Sequence, residues 1–317
     1  MDNIFNEYSD FCLVYVDDIL IFSDSIADHA NHLMKFIQKS QNHGLILSNK
    51  KADIAKTQIE FLGLKIDSTG IEMQPHICEK IAHFPDRLVD RKQLERFLGC
   101  INYINDFLPN LVWLKGPLQD LLKKRLNQQW QDYHTSIVKQ LKQLCTNLPR
   151  LAIPETGDQL IVETDASERY WGGVLEAKKG DTEHSCRYAN VSFKPAEVNY
   201  HSNEKELLAL KRSFAKFHFF ILPVRFLVRT DNTNVKAYIF NKLPCTPEYK
   251  RRHRWQQYFQ EYQFDIEHIK GKNNYLADFL SREANDGVGR EYVHQLQLKD
   301  TPRNGSTRIG SSTEPSL

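Results

Sequence analysis

Residues 160–175 read LIVETDASERYWGGVL, and the punctuation of this stretch decides the fold class. Leu160 to Thr164 is a strand-forming run that closes on an acid, Asp165, and Trp171-Gly172-Gly173-Val174-Leu175 follows as a second such run. Downstream, residues 204–220 carry helical periodicity, residues 224–230 form another strand-like run that stops at Asp231, and residues 273–282 make a last patterned element. This alternation predicts an α/β domain. Acids at strand ends in such a sheet gather along one edge, where ligands bind.

Asp165, Glu206, Asp231 and Asp278 are the acids the pattern singles out. Four carboxylates meeting at one edge repel one another strongly unless cations fill the gap. Magnesium suits them, because it takes hard oxygen ligands and keeps positions open for water and phosphate. Each acid also has a plainer reading. An Asp after a strand serves turns and helix N-caps, and acids in a first helical turn favour the helix dipole, a part that Glu204 fills. Spacing alone leaves both readings open.

Further toward the N-terminus, FCLVYVDDILIF (11–22) is two apolar runs around Asp17-Asp18, a hairpin signal. A helix is expected over 27–42, with Gly44 placed to stop it. Residues 59–66 read as one strand and 68–70 as a turn. From 75 to 150 the pattern is helical, punctuated by Pro109, Pro117 and Pro149. Beyond Glu283 the chain is rich in Gly, Ser, Thr and Asn and is expected to be disordered.

The 317 residues leave room for two domains with proper cores, and 41% hydrophobic with 26% charged residues is ordinary globular composition. The balance of 42 basic against 40 acidic residues neither excludes a nucleic-acid partner nor points to one. Lys250 to Trp255 is nevertheless a local basic cluster. Six cysteines without a C-x-x-C pair argue against a zinc site or a disulfide framework and for a reducing compartment. No signal peptide opens the chain, and two aspartates break the apolar stretch 11–22, so it does not span a membrane.

Four motifs in order resemble the ribonuclease H domain of retroelement polyproteins: residues 160–175, NYHSNEKELLALKRSF (199–214), FLVRTDNTNV (226–235) and HIKGKNNYLADFLSR (268–282). The resemblance implies a mixed sheet of about five strands flanked by helices. It also implies four catalytic, metal-binding carboxylates around two Mg2+ ions: Asp165, Asp231, Asp278 and Glu206, the Glu directly before Leu-Leu-Ala, rather than Glu204. His268 is implied as a helper in proton transfer or product release, against the plainer reading of a structural histidine at a strand end.

YVDDILIF (15–22) resembles the signature hairpin of reverse transcriptases, whose paired aspartates, here Asp17 and Asp18, bind metal for nucleotide addition. Residues 44–67 resemble the downstream palm, and residues 80–124 the thumb and connection. Nucleic-acid contacts are then expected from Lys50 or Lys51, Lys115, Lys123 and Lys124, and from Arg251, Arg252 and Arg254 in the basic cluster. For Lys50 and Lys51 the plainer reading is a solvated turn.

The resemblance divides the chain into the C-terminal part of a palm (1–70), a thumb and connection (71–155), a ribonuclease H-like domain (156–283) and a disordered tail (284–317). The lack of an integrase-like segment after the nuclease points to plant pararetroviruses, the caulimovirus and badnavirus group, with Ty3-type retrotransposons next. The implied activity is metal-dependent hydrolysis of the RNA strand of RNA–DNA hybrids. Template–primer and the remainder of a polyprotein are the implied partners, in the cytoplasm or nucleus of a host cell or in a virion, not secreted. The family's fingers, and the palm strand that donates a third metal-binding Asp, have no counterpart upstream, so RNA-directed DNA polymerase activity is expected to be lost. The rival expectation is a non-catalytic nucleic-acid-binding remnant of an integrated element.

Overall fold

The hairpin expected over 11–22 forms. Strand β1 (Cys12–Tyr15) pairs antiparallel with β2 (Asp18–Ile21), Tyr15 opposite Asp18, leaving Val16 and Asp17 as the turn. Val16 sits at φ 54°. A β-branched residue in the left-handed region is strained, and strain of this kind collects at functional turns. Helix α1 (Asp2–Phe5) precedes the hairpin, and α2 (Ile26–Asn42) follows it. Ser25 caps α2 by accepting the Asp28 N–H at 3.1 Å, and Gly44, at φ 68°, follows its end. Phe5, Phe11, Cys12 and Phe36 form a small core beneath it.

The stretch 59–66, expected as one strand, is two. β3 (Gln58–Phe61) and β4 (Leu64–Asp67) fold back on each other at Leu62 and Gly63, which take φ 50° and 73°, and β5 (Gly70–Met73) completes a three-stranded antiparallel sheet. Positive φ at both central residues is the geometry of a tight hairpin turn. Leu62, an unusual occupant, hid that turn behind a continuous apolar run.

These elements belong to one compact unit, residues 1–74, and the rest of the chain to a second. The structure, a computed structural model, describes residues 2–108, 111–123, 129–242, 244 and 249–281. The tail expected to be disordered lies outside the described residues. No described helix is long and apolar enough to cross a membrane.

The second unit begins with four helices: α3 (Pro75–Ala82), α4 (Arg91–Tyr103), α5 (Leu111–Asp120) and α6 (Asp132–Cys145). Asp90 caps α4 by accepting the Gln93 N–H at 3.0 Å. The apolar positions at helical spacing in the sequence, Leu94, Phe97 and Leu98, are buried, and the structure adds Ile101 to them. Asp106, just after α4, binds Arg187 at 2.9 Å and Lys216 at 3.2 Å, fastening this helical layer to the sheet beyond it.

That sheet is mixed and five-stranded. β6 (Gln159–Ala166), β7 (Tyr170–Lys179) and β8 (Thr182–Ser192) run antiparallel, while β9 (Phe226–Thr230) and β10 (Phe264–His268) add parallel strands beside β6, in the order β10-β9-β6-β7-β8. The helices are α7 (Pro195–Val198), α8 (Ser202–Ile221), α9 (Val235–Phe240), α10 (Lys250–Phe259) and α11 (Tyr275–Ser281). Adjacent strand residues point to opposite faces. A Cβ on Gly172 would overlap Leu280 of α11, and one on Gly173 would overlap Ser213 of α8, so the two helices cover opposite faces of β7.

The core between α8 and the sheet centres on Phe214, which meets Phe226, Phe259, Tyr262 and Phe264 with ring centroids 4.9–5.3 Å apart. We expect Phe214→Ala to destabilise the fold by about 3–5 kcal/mol, read as a lowered denaturant midpoint.

Candidate active site

Three elements deliver acids to one edge of the five-stranded sheet. Asp165 is the next-to-last residue of β6, buried, and paired in register with Gly172. Glu206 lies in the second turn of α8 and is also buried. Asp231 directly follows β9 and is half-buried. Burial, then the charges of Asp165 and Asp231, push the Glu206 carboxyl up to about 9, opposed only by a hydrogen bond from the Ala166 backbone. Glu206 Oε2 has no hydrogen-bond partner. Glu206 therefore sits in an unrelieved negative field, the kind of environment that marks functional carboxylates.

The fourth acid arrives on α11. Asp278 is half-buried, and Ser281, one turn further along the helix, donates its hydroxyl proton to Asp165 Oδ2. Asn274, just before α11, donates from Nδ2 to the Thr164 carbonyl at 3.2 Å. Among the described residues no three His, Cys, Asp or Glu side chains are already drawn into a metal-sized cluster. The donor set is nevertheless the hard-oxygen set that Mg2+ prefers, and the unsatisfied Glu206 oxygen has the chemistry of such a ligand.

His268 ends β10 beside Thr230, exposed, with Nε2 3.0 Å from the Asp231 carbonyl oxygen. A carbonyl only accepts, so Nε2 carries the proton and the ring is held by backbone. Asp17 and Asp18 are both exposed at the hairpin turn of the first unit.

Two polar groupings escaped sequence reasoning. Asn232, next to Asp231, donates to Asn203 Oδ1 at 3.0 Å, and Asn203 donates to the Tyr238 hydroxyl at 3.3 Å. The repeated Asn of DNTN was the available signal. Arg229 binds Glu163 at 3.2 Å, Glu183 at 2.8 Å and Glu267 at 3.1 Å, a grouping that no local spacing announces.

Residues 155–262 match the RNase H-like domain found in reverse transcriptase, and residues 1–66 match reverse transcriptase, the RNA-dependent DNA polymerase. The chain is 46% identical over 289 residues to the enzymatic polyprotein of Cauliflower mosaic virus (strain D/H), a match covering 90% of this chain and 43% of that protein. The enzymatic polyprotein of Figwort mosaic virus is likewise 46% identical, over 286 residues, with the same coverage of 90% and 43%. The chain thus carries a reverse transcriptase region and a ribonuclease H-like region similar to those of pararetroviral polyproteins. It spans less than half the length of those relatives. The foamy viral protease-reverse transcriptase solved with an RNA/DNA hybrid shares the fold at a TM-score of 0.68 and 20% identity, covering 100% of this chain and 39% of that one.

The basic residues expected to contact nucleic acid divide. Lys50, Lys51 and Arg254 are exposed. Lys123 is exposed and paired with Asp120 at 2.5 Å, and Lys124 lies outside the described residues. Arg251 binds Glu204 at 2.5 Å and stacks 3.8 Å from the Tyr200 ring, while Arg252 stacks 3.7 Å from that of Tyr238.

Lys115 corrects the sequence expectation. It is buried, with Nζ donating to Asn102 at 3.0 Å and Asn105 at 2.7 Å, so it faces protein rather than phosphate. Helical periodicity puts it on the inner face with Leu111, Leu114 and Leu118. Burial pulls its amine down to about 8 from 10.5. The folded value lies below the unfolded one, so the cost of burying the charge is complete below pH 8 and fades as pH rises toward 10.5. We expect Lys115→Met to raise stability at pH 7 by on the order of 1–3 kcal/mol. Thermal unfolding of the two proteins should show that gap narrowing at pH 10.

Proposed function

We propose that this segment hydrolyses the RNA strand of RNA–DNA hybrids with divalent cations, Mg2+ first, as part of the reverse-transcription machinery of a pararetroviral element. One observation carries the reading: a buried Glu206 pressed by two neighbouring acids, Asp165 and Asp231, delivered by three separate elements to one sheet edge. Supporting it are the match of residues 155–262 to a ribonuclease H-like domain and the fold shared with a foamy viral enzyme solved on a hybrid.

Asp165, Glu206, Asp231 and Asp278 would hold the ions. Bound there about 4 Å apart, two Mg2+ ions would supply activation of a water and stabilisation of the leaving oxygen. The chain's own groups set the stage: β6 and β9 fix two carboxylates, α8 and α11 bring the others, and burial excludes bulk water from Glu206. Arg251, Arg252 and Arg254 at the start of α10 would take backbone phosphate, so sequence preference should be weak. Template–primer and the rest of the polyprotein are the proposed partners, in the host cytoplasm, nucleus or virion.

The test is cleavage of a labelled RNA–DNA hybrid by the full chain under magnesium titration. Wild type should cut only with the metal, and Asp231→Asn should lower the rate by about a hundredfold or more. If both cut equally little while the hybrid stays bound, a non-catalytic binding remnant is the better reading.

Asp17 and Asp18 supply two carboxylates to a hairpin turn, fewer than a two-ion nucleotidyl-transfer site needs. The chain by itself should therefore fail to extend a primer. Robust dNTP incorporation by purified protein would overturn that expectation.

A further inference from the structure

Two buried polar residues bracket α11, and neither is a metal-ligand type at these positions. Ser281 is fully buried, its hydroxyl donating to Asp165 Oδ2 and lying 3.0 Å from the Asp278 carbonyl oxygen. A hydroxyl has one proton, and the charged carboxylate is the stronger acceptor for it. Asn274, also fully buried, donates to the Thr164 carbonyl, and its own carbonyl receives the Asp278 N–H at 2.9 Å. Thr164 and Asp165 are consecutive on β6, so both ends of α11 are pinned to adjacent residues of one strand. Between the pins, Ala277 and Leu280 lie so close over Gly172 that a Cβ there has no room.

We infer that Ser281 is a positioning residue for the metal site. Its hydroxyl sets the rotation of the Asp165 carboxylate and, together with Asn274, holds the helix that carries Asp278 against the end of β6. The inference rests on the metal-site reading above. Groups that orient metal ligands typically cost tenfold to a hundredfold in metal affinity when removed.

The test uses the full chain, with Mn2+ alone as the probe. Calorimetric Mn2+ binding without nucleic acid, and amide hydrogen exchange of residues 275–281, are measured for wild type, Ser281→Ala and Ser281→Cys. Cysteine fills the space of serine, but its S–H is a weak donor. We expect both variants to bind Mn2+ about tenfold or more weakly and to exchange α11 amides faster. If Cys behaves as wild type, the side chain only fills space and the inference falls. It also falls if wild type binds Mn2+ and both variants bind it equally well, an outcome that leaves the metal site standing. If wild type binds no Mn2+, the metal-site reading fails instead. Exchange then decides alone, and equal protection of 275–281 in all three proteins removes Ser281 from its role.

Discussion

The site depends on how near two helices come to β7. Gly172 and Gly173 are adjacent on that strand and face opposite ways, and neither has room for a methyl group. Gly173 admits Ser213 of α8, and Glu206 lies two turns before Ser213 on the same helical face. The depth of α8 against the strand thus sets the height of Glu206. Gly172 admits α11 on the other face and is the register partner of Asp165. A side chain at either glycine would push one carboxylate-bearing helix outward.

Rigidity separates the groups around that edge. Arg251 and Arg252 lie over tyrosine rings, and Arg251 is also clamped by Glu204, so the guanidinium groups at the start of α10 are held in place. His268 is tethered by one nitrogen to the Asp231 backbone, which leaves Nδ1 as the position through which it would act on a ligand. Its ring is on the right strand, one residue level with Thr230, but its hydrogen bond goes to main chain rather than to a carboxylate.

Much of this was legible in residues 160–175 and their echoes. Strand-forming runs that end on acids located β6 and β9, and 3.6-residue periodicity located α8. The parts that stayed hidden have local causes. β8 reads THR-GLU-HIS-SER at its start and is polar because only some of its positions face the core, so it lacks the apolar run that marked β6. β10 reads FDIEH, an edge strand with three of its five positions in solvent. Leu62 in a left-handed turn concealed the β3–β4 hairpin. Lys115 looked like a phosphate ligand because residues 80–124 resemble a thumb and connection, whereas its helical phase placed it inward among leucines. Ser281 and Asn274 carry no charge and sit in a motif whose Asp takes the attention; only their contacts with β6 across more than a hundred residues reveal what they do.

The sheet carries two gatherings of acids, and the difference between them is the strongest physical argument for which one does chemistry. On β6 and β9, Glu163 and Arg229 stand side by side in register, and Arg229 also reaches Glu183 and Glu267. A guanidinium there answers the carboxylates with a fixed positive charge that cannot leave, so that cluster is finished as folded. Two residues further along each strand stand Asp165 and Asp231, and among the described residues the charges that bear most on Glu206 are theirs, both negative. A chain that had only to stabilise its sheet could have placed a second arginine at this edge. Burial in such a field favours the protonated carboxyl, and a small divalent cation would take the proton's place while leaving positions open for a phosphate oxygen. On the proposed reading, the unsatisfied oxygen of Glu206 and the hydroxyl that Ser281 lends to Asp165 would belong to one arrangement, an acidic edge on rigid elements that a divalent cation would complete.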